Sequence, residues 1–254
     1  MTPKLQGRFR RLLHGLRAAR WKLGIAVSIG FVVTALWLRL GPLPSGLLDD
    51  PAPSTMVVDR HGVPLYEARG ADGMRGMKLA PADLPATLVA ATLAAEDHRF
   101  WSHPGTDPIA VLRALKVNLA ERSIVEGGST ISQQVAKLLL NRRDPDRRRG
   151  WTAKLHEGVI ALRLEHRFDK REILAMYLNL AGYGNQIAGA ERASRAYFGT
   201  SAALLTPAQA AFLAGLPQRP SGFNPHRSRT AAVSRQRLVL RRMQLAGTLD
   251  PEQA

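Results

Sequence analysis

Leu23 to Leu38 reads LGIAVSIGFVVTALWL, sixteen residues without a charge, and this run constrains the chain more than any other feature. It is a little shorter than the roughly 20 residues that cross a bilayer core. Trp21 and Trp37 sit at its edges, where indole rings favour the interface, and Lys22 and Arg39 can reach the head groups. In front of it, Lys4, Arg8, Arg10, Arg11, Arg17, Arg20 and Lys22 place seven cations in 22 residues that hold no acid. A cleaved signal peptide would share the basic arm and the apolar run, but no convincing small-x-small cleavage site follows Arg39. A buried core helix would not follow so dense a basic arm. An uncleaved signal anchor fits both features. The positive-inside bias then keeps residues 1–22 in the cytoplasm and sends the chain beyond about Gly41 outside.

The formal net charge is +16, and the seven arm cations leave +9 on the remainder. That surplus fits an anionic partner: nucleic acid, acidic lipid head groups or a phosphorylated substrate. The absence of cysteine removes disulfides, thiolate zinc sites and thiol catalysis together. Aromatic residues are only 6% while Ala and Leu recur at helical spacing, which favours an α-rich fold.

The chain divides into a basic cytoplasmic arm (1–22), an anchor (23–40), a Pro/Gly-rich linker (41–54) and a globular domain (55–254). Thr55 to Ala68 alternates around Asp59-Arg60-His61-Gly62, the pattern of a small hairpin. Helix signals dominate afterwards. Asp83 is a candidate cap for a helix through LPATLVAATLAAED, Asp107-Pro108 starts another, and Thr206-Pro207 a third. Further helices are expected over 131–141, 151–167, 170–181, 188–198, 207–216 and 229–246. Arg142 to Arg149 (RRDPDRRR) reads as a solvated charged loop between two of them.

Three stretches carry chemistry. In Ala95 to Asp107 (AEDHRFWSHPGTD), Glu96-Asp97 closes an apolar helix, and partial burial there would move a carboxyl group towards the working pH of a base. Acids also oppose the dipole at a helix C-terminus. His103 reads as a hydrogen-bonding loop residue, Phe100 and Trp101 as core. In Glu126 to Lys137 (EGGSTISQQVAK), glycines permit close backbone approach and Ser129 and Thr130 stand at a helix start whose free N–H groups attract anions. Gln133, Gln134 and Lys137 share a helix face there. No Walker-type phosphate loop is present. In Lys154 to Glu157 (KLHE), Lys and Glu at i, i+3 make at least a surface pair.

Together and in order, these stretches resemble the family-51 peptidoglycan glycosyltransferases, the monofunctional enzymes and the N-terminal domains of class A penicillin-binding proteins. The resemblance is carried by Glu-Asp-x-x-Phe-x-x-His-x-Gly-x-Asp (96–107), Gly-Gly-Ser-Thr-Ile-x-Gln-Gln (127–134), Lys-x-x-Glu (154–157) and Lys-Arg-Glu-Ile-Leu-x-x-Tyr-Leu-Asn (170–179). A fifth stretch, Ala-Phe-Leu-Ala-Gly-Leu-Pro-Gln-Arg-Pro-Ser (211–221) with Asn224-Pro225, belongs with them. Val57 to Gly62 and Ala161 to Glu165 look nearest the 1C type.

The resemblance implies a mainly α-helical, lysozyme-like glycosyltransferase domain on one transmembrane helix of the cytoplasmic membrane, facing outwards. It implies polymerisation of lipid II, with Glu96 as the base on the acceptor 4-hydroxyl and an undecaprenyl diphosphate leaving with inversion. Lys137 and Lys154 match diphosphate-binding lysines, and Arg113 an arginine near the donor phosphates. Ser129, Thr130 and Gln134 match residues lining the substrate. Glu157 matches a second essential glutamate that orients a cation or metal. Asp97, Phe100, His103 and Gly105 shape the first loop. No cofactor is required, although Mg or Mn assists some members, and a transpeptidase is the expected partner.

One departure stands out: the residue before Lys154 is often Arg in that family and is Ala153 here, so the Arg142–Arg149 loop is the available substitute. No Ser-x-x-Lys motif occurs, so the sequence reads as a monofunctional enzyme or the front of a bifunctional one. The rivals are a lysozyme-like lytic enzyme, which would not need the cations at Lys137 and Lys154, and a non-catalytic wall-binding module. Nucleic-acid binding finds no supporting motif.

Overall fold

The computed structural model describes residues 3–49, 55–61, 64–68, 75–120, 128–148 and 150–250. It divides into two compact units, Met1–Pro42 and Leu43–Ala254. The first unit is one continuous helix, α1 (Pro3–Leu40), with no break between its basic and apolar parts. Its stretch Trp21–Leu40 has 20 residues, a mean hydropathy of 2.0 and no buried residue. At 1.5 Å per residue that is about 30 Å, the thickness of a hydrocarbon core. The helix is therefore long and apolar enough to cross a membrane, and it fits an anchor.

The second unit is mainly helical. A hairpin of β1 (Thr55–Val58) and β2 (Pro64–Ala68) pairs antiparallel in the register Thr55 to Ala68 and Val57 to Tyr66, with a bulge at Val57/Val58. Its turn begins with Asp59 Oδ1 accepting the His61 N–H at 2.8 Å; Gly62 lies outside the described residues. Glu67 receives the Arg192 guanidinium, fixing the hairpin to a later helix. Then follow β3 (Arg75–Gly76), α2 (Ala86–Glu96), α3 (Pro108–Ala120), α4 (Ile131–Arg143), α5 (Trp151–Arg167) and α6 (Lys170–Leu180). β4 (Ile187–Ala188) pairs parallel with β3, and α7 (Ala190–Phe198), α8 (Pro207–Gly215) and α9 (Arg229–Leu245) complete the unit.

Most helix starts follow local chemistry. Asp107 Oδ1 accepts the N–H groups of Ile109 (3.0 Å) and Ala110 (3.1 Å) and starts α3. Thr130 and Thr206 form capping boxes with Gln133 and Gln209, each satisfying two otherwise orphaned groups. The expected cap at Asp83 is corrected: Asp83 ends a separate 3₁₀ turn, and α2 starts after Pro85 without a side-chain cap. The cause is Pro85, because a residue before proline is driven out of the helical region, and Leu84 is extended at ψ 119°.

The core forms where α2 packs on α8 and α9, and α4 on α5 and α6. Leu88, Phe100, Ile131, Ile160, Leu164, Ile173, Leu178, Leu213 and Val239 are fully buried. α2 buries Ala91, Ala94 and Ala95 and α8 buries Ala210, Ala211 and Ala214, small residues suited to the close packing of these two helices. This close packing brings α9 up to the C-terminal end of α2, where Glu96 stands.

Candidate active site

Glu96 is the last residue of α2, and its side chain is 9% exposed. It stands at the wall of a cleft of about 710 Å³. Gln134 Nε2, from α4, donates to Glu96 Oε2 at 2.8 Å. Arg235 Nη2, from α9, lies 3.5 Å from Oε1. Burial raises the Glu96 pKa above its ordinary value, outweighing Gln134, Arg235 and Arg242, which lower it; the neighbouring Asp97 adds to the rise. A carboxyl group so placed is held closer to neutral pH, where it can both exist ionised and accept a proton.

The next residue does different work. Asp97 Oδ2 accepts the Ile131 N–H at 2.9 Å and faces His103 Nε2 at 2.9 Å. His103 Nδ1 accepts the Gly105 N–H at 3.1 Å, so the ring proton is on Nε2 and is donated to Asp97. Thr130 Oγ1 donates to the Gly105 carbonyl at 2.6 Å. Gly105 itself has φ +104°, and a Cβ there would meet the Ala161 carbonyl oxygen at 3.0 Å. Lys170 Nζ closes the arrangement on the His103 carbonyl (2.6 Å) and Glu165 (2.7 Å), 4.4 Å above the Phe100 ring. The loop after Glu96 is thus pinned to the start of α4, and Glu96 with it.

Cations gather elsewhere along the cleft. Lys154 Nζ donates to Ser129 Oγ at 2.7 Å and to Glu157 Oε2 at 3.3 Å. Arg147 donates to Glu157 Oε1 at 3.2 Å and to the Ala153 carbonyl at 2.8 Å. Lys137 and Arg113 also line the cleft. Arg113 Nη1 lies 3.1 Å from His98 Nε2. Burial first, and then the Arg113 charge, hold His98 below its ordinary pKa, so its ring accepts rather than competes as a cation. Such a set of donors can receive a diphosphate.

Of the residues singled out from the sequence, Glu96, Asp97, Arg113, Ser129, Gln134, Lys137, Lys154 and Glu157 line this one cleft. Phe100, His103 and Thr130 do not. Phe100 is fully buried, His103 and Thr130 nearly so, and all three act within the loop and cap just described. Their polar atoms and ring faces are engaged inside the protein, His103 with Asp97 and Gly105, Thr130 with Gly105 and Phe100 under Lys170. The reading of Arg147 as solvated is corrected too: its side chain is 13% exposed and turns inward, because the buried Glu157 carboxylate needs a counter-charge. Glu126, Gly127 and Arg149 lie outside the described residues.

Sequence reasoning missed His98, Asn141 and Gln218 in the lining, and Arg235 and Arg242 beside Glu96. One signal for Arg235 existed: it occupies a position in the buried stripe Ala232, Arg235, Val239, Met243 of α9, where the helical period calls for an apolar residue. Among the described residues no cluster of three or more His, Cys, Asp or Glu side chains could hold a metal. Both oxygens of Glu157 are taken by cations, so these residues do not fit a resident ion.

A family model described as Transglycosylase matches residues 65–244. Penicillin-binding protein 1C of Escherichia coli (strain K12) is 38% identical over 215 residues, which are 85% of this chain and 27% of that protein. Penicillin-binding protein 1A of Aquifex aeolicus is 41% identical over 170 residues, 67% of this chain and 23% of that protein. The biosynthetic peptidoglycan transglycosylase of Chromobacterium violaceum is 42% identical over 158 residues, 61% of this chain and 67% of that protein. The chain spans about a quarter of the length of the penicillin-binding proteins it matches. The family match covers the helices that build the cleft, and the chain belongs to the transglycosylase family of peptidoglycan synthesis.

Proposed function

We propose that this chain polymerises lipid II into glycan strands, with Glu96 as the general base. The ionised Glu96 carboxylate takes the proton of the acceptor sugar's 4-hydroxyl as that oxygen attacks the anomeric carbon of the growing chain. The bond from that carbon to the diphosphate oxygen breaks with inversion, and undecaprenyl diphosphate leaves with the electron pair. Lys137, Lys154, Arg113 and Arg147 receive its growing negative charge. Glu157 holds Lys154 and Arg147 in place. Ser129 and Gln134 shape the substrate path, Ser129 through Lys154 and Gln134 through the base. Asp97 fixes the loop that carries Glu96.

The observation that carries this reading is one cleft holding a buried carboxyl group of raised pKa together with a separate set of cations. A lytic enzyme working on finished glycan has no diphosphate to leave and no need of the second part. The apolar stretch Trp21–Leu40 supports a single-pass anchor in the cytoplasmic membrane, with the cleft on the outer side beside its lipid-linked substrate. On this reading residues 1–22 are a cytoplasmic arm, 41–54 a linker and 55–254 the catalytic domain, and a transpeptidase consumes the strand. The test is polymerisation of labelled lipid II by the purified protein in detergent. Wild type makes glycan and Glu96→Gln does not. Equal product from both would remove Glu96 from the mechanism, and cleavage of preformed glycan without polymerisation would establish the lytic reading.

A further inference from the structure

Arg235 is separated from Glu96 by 139 positions in the chain, yet its guanidinium lies against the Glu96 carboxylate. We propose that Arg235 is a positioning residue for the base, keeping the Glu96 carboxylate charged and aimed into the cleft. The proposal rests on the reading of Glu96 as base.

Three observations carry it. First, the site for Arg235 is costly. Its side chain is 7% exposed, and its Nε has no hydrogen-bond partner among the described residues. Buried polar atoms are almost always satisfied, and a buried cation with a bare N–H calls for a reason beyond packing. Second, the fold makes room for it. A Cβ on Gly215 of α8 would stand 2.8 Å from Arg235 Cγ, so a glycine there lets the arginine stem pass between α8 and α9. The guanidinium then emerges beside Glu96, with the Phe223 ring 5.8 Å from its central carbon. Third, α9 sends a second guanidinium to the same place. Arg242, seven residues on and so on the same helix face, donates to the Ala95 carbonyl at 3.0 Å and lines the cleft. Arg242 repels Arg235, and Glu96 offsets that repulsion only when ionised.

The groups facing Glu96 can be named by element. Asp97 adjoins it in the chain, Gln134 comes from α4, Arg235 and Arg242 from α9, Tyr177 from α6 and Tyr183 from the loop after α6. Both tyrosines are held neutral by burial, and the Glu96 charge adds to that effect. Burial, with Asp97, pushes the Glu96 carboxyl towards its protonated form; Gln134 and the two arginines push it back. Of the arginines, Arg235 is the one that touches the carboxylate.

The experiment compares wild type, Arg235→Met, Arg235→Lys and Gly215→Ala in two measurements. One is the pH dependence of lipid II polymerisation. The other is the carboxyl titration of protein labelled with carbon-13 glutamate, with Glu96 identified by the resonance that Glu96→Gln lacks. Loss of a neighbouring cation raises a carboxyl pKa. In Arg235→Met the Glu96 titration and the acidic limb of the rate profile therefore move up by about one pH unit. The rate on that limb falls about tenfold and converges on wild type at higher pH. Arg235→Lys restores part of the shift. Gly215→Ala keeps the charge but displaces the stem, and shifts both measurements the same way; it decides the matter if Arg235→Met does not fold. A rate lowered equally at every pH, with the Glu96 titration unmoved, would overturn the proposal and leave Arg235 a purely structural tie. If Glu96→Gln polymerises like wild type, the base reading fails, while the titration still reports whether Arg235 governs the Glu96 charge.

Discussion

Gln134 Nε2 donates to Glu96 Oε2 at 2.8 Å, joining the start of α4 to the end of α2 across the wall of the cleft. The bond favours the ionised carboxylate, which burial disfavours. Gln134→Met keeps the volume and removes the donor, so the Glu96 pKa rises further. The acidic limb of kcat/KM for lipid II polymerisation should move to higher pH, with a loss of roughly tenfold on that limb for a charged-acceptor bond of about 1.5 kcal/mol. A pH–rate profile checks it; a limb that stays in place while activity falls uniformly would assign Gln134 to substrate binding instead.

Glu96 also leaves a mark on folding. Its folded pKa is raised above the ordinary 4.5. The folded state therefore binds the Glu96 proton more readily than the unfolded chain does. This favours folding fully below pH 4.5 and is lost as pH rises through the folded value. The stability of wild type relative to Glu96→Gln should thus increase as pH falls across that window. Denaturant midpoints of both proteins, measured from neutral to mildly acid pH, give the comparison. A difference independent of pH would show that the Glu96 proton affinity is unaltered by folding.

Asp97 accepts from the Ile131 N–H and from His103 in a buried place. Asp97→Ala leaves both donors without their acceptor, at a cost of about 2–3 kcal/mol. For a unit of this size that lowers Tm by about 4–10 °C. Calorimetry of the purified protein measures it. Activity should fall with it, since the loop that fixes Glu96 is released; an unchanged Tm would mean that the Asp97 pairings add nothing to the fold.

Glu157 is held by Lys154 on one oxygen and Arg147 on the other. Glu157→Gln keeps the shape but removes the charge that gathers these cations. Polymerisation should drop by one to two orders of magnitude, on the scale of a lost electrostatic group in an active site. Arg147→Ala should weaken donor binding more than Arg143→Ala, because Arg147 reaches Glu157 and lines the cleft. Steady-state rates over a range of lipid II concentrations separate the two effects.

Local signals in the sequence translated directly into structure. Asp107 before Pro108, Thr130 before Ile131 and Thr206 before Pro207 each cap the helix they precede, because a cap needs only residues within one turn. The misplaced start at Asp83 was also a local matter, with Pro85 overriding an otherwise suitable cap. Phe100, His103 and Thr130 belong to motifs whose neighbours line the cleft, and a motif does not reveal which of its members face inwards. That depends on the Asp97–His103–Gly105 hydrogen bonds and the approach of Lys170.

By itself, then, the sequence determined the apolar run Leu23–Leu38, the helical character of the rest, the order of the motifs and Glu96 as the candidate base. The tertiary structure alone decided what surrounds that carboxylate. Arg235 and Arg242 come from a helix about 140 residues away, and Arg147 leaves its charged loop for Glu157. The physical reason is that capping and periodicity act within a turn or two of chain. Burial and charge act through space, and which charges meet depends on how α2, α4, α8 and α9 pack.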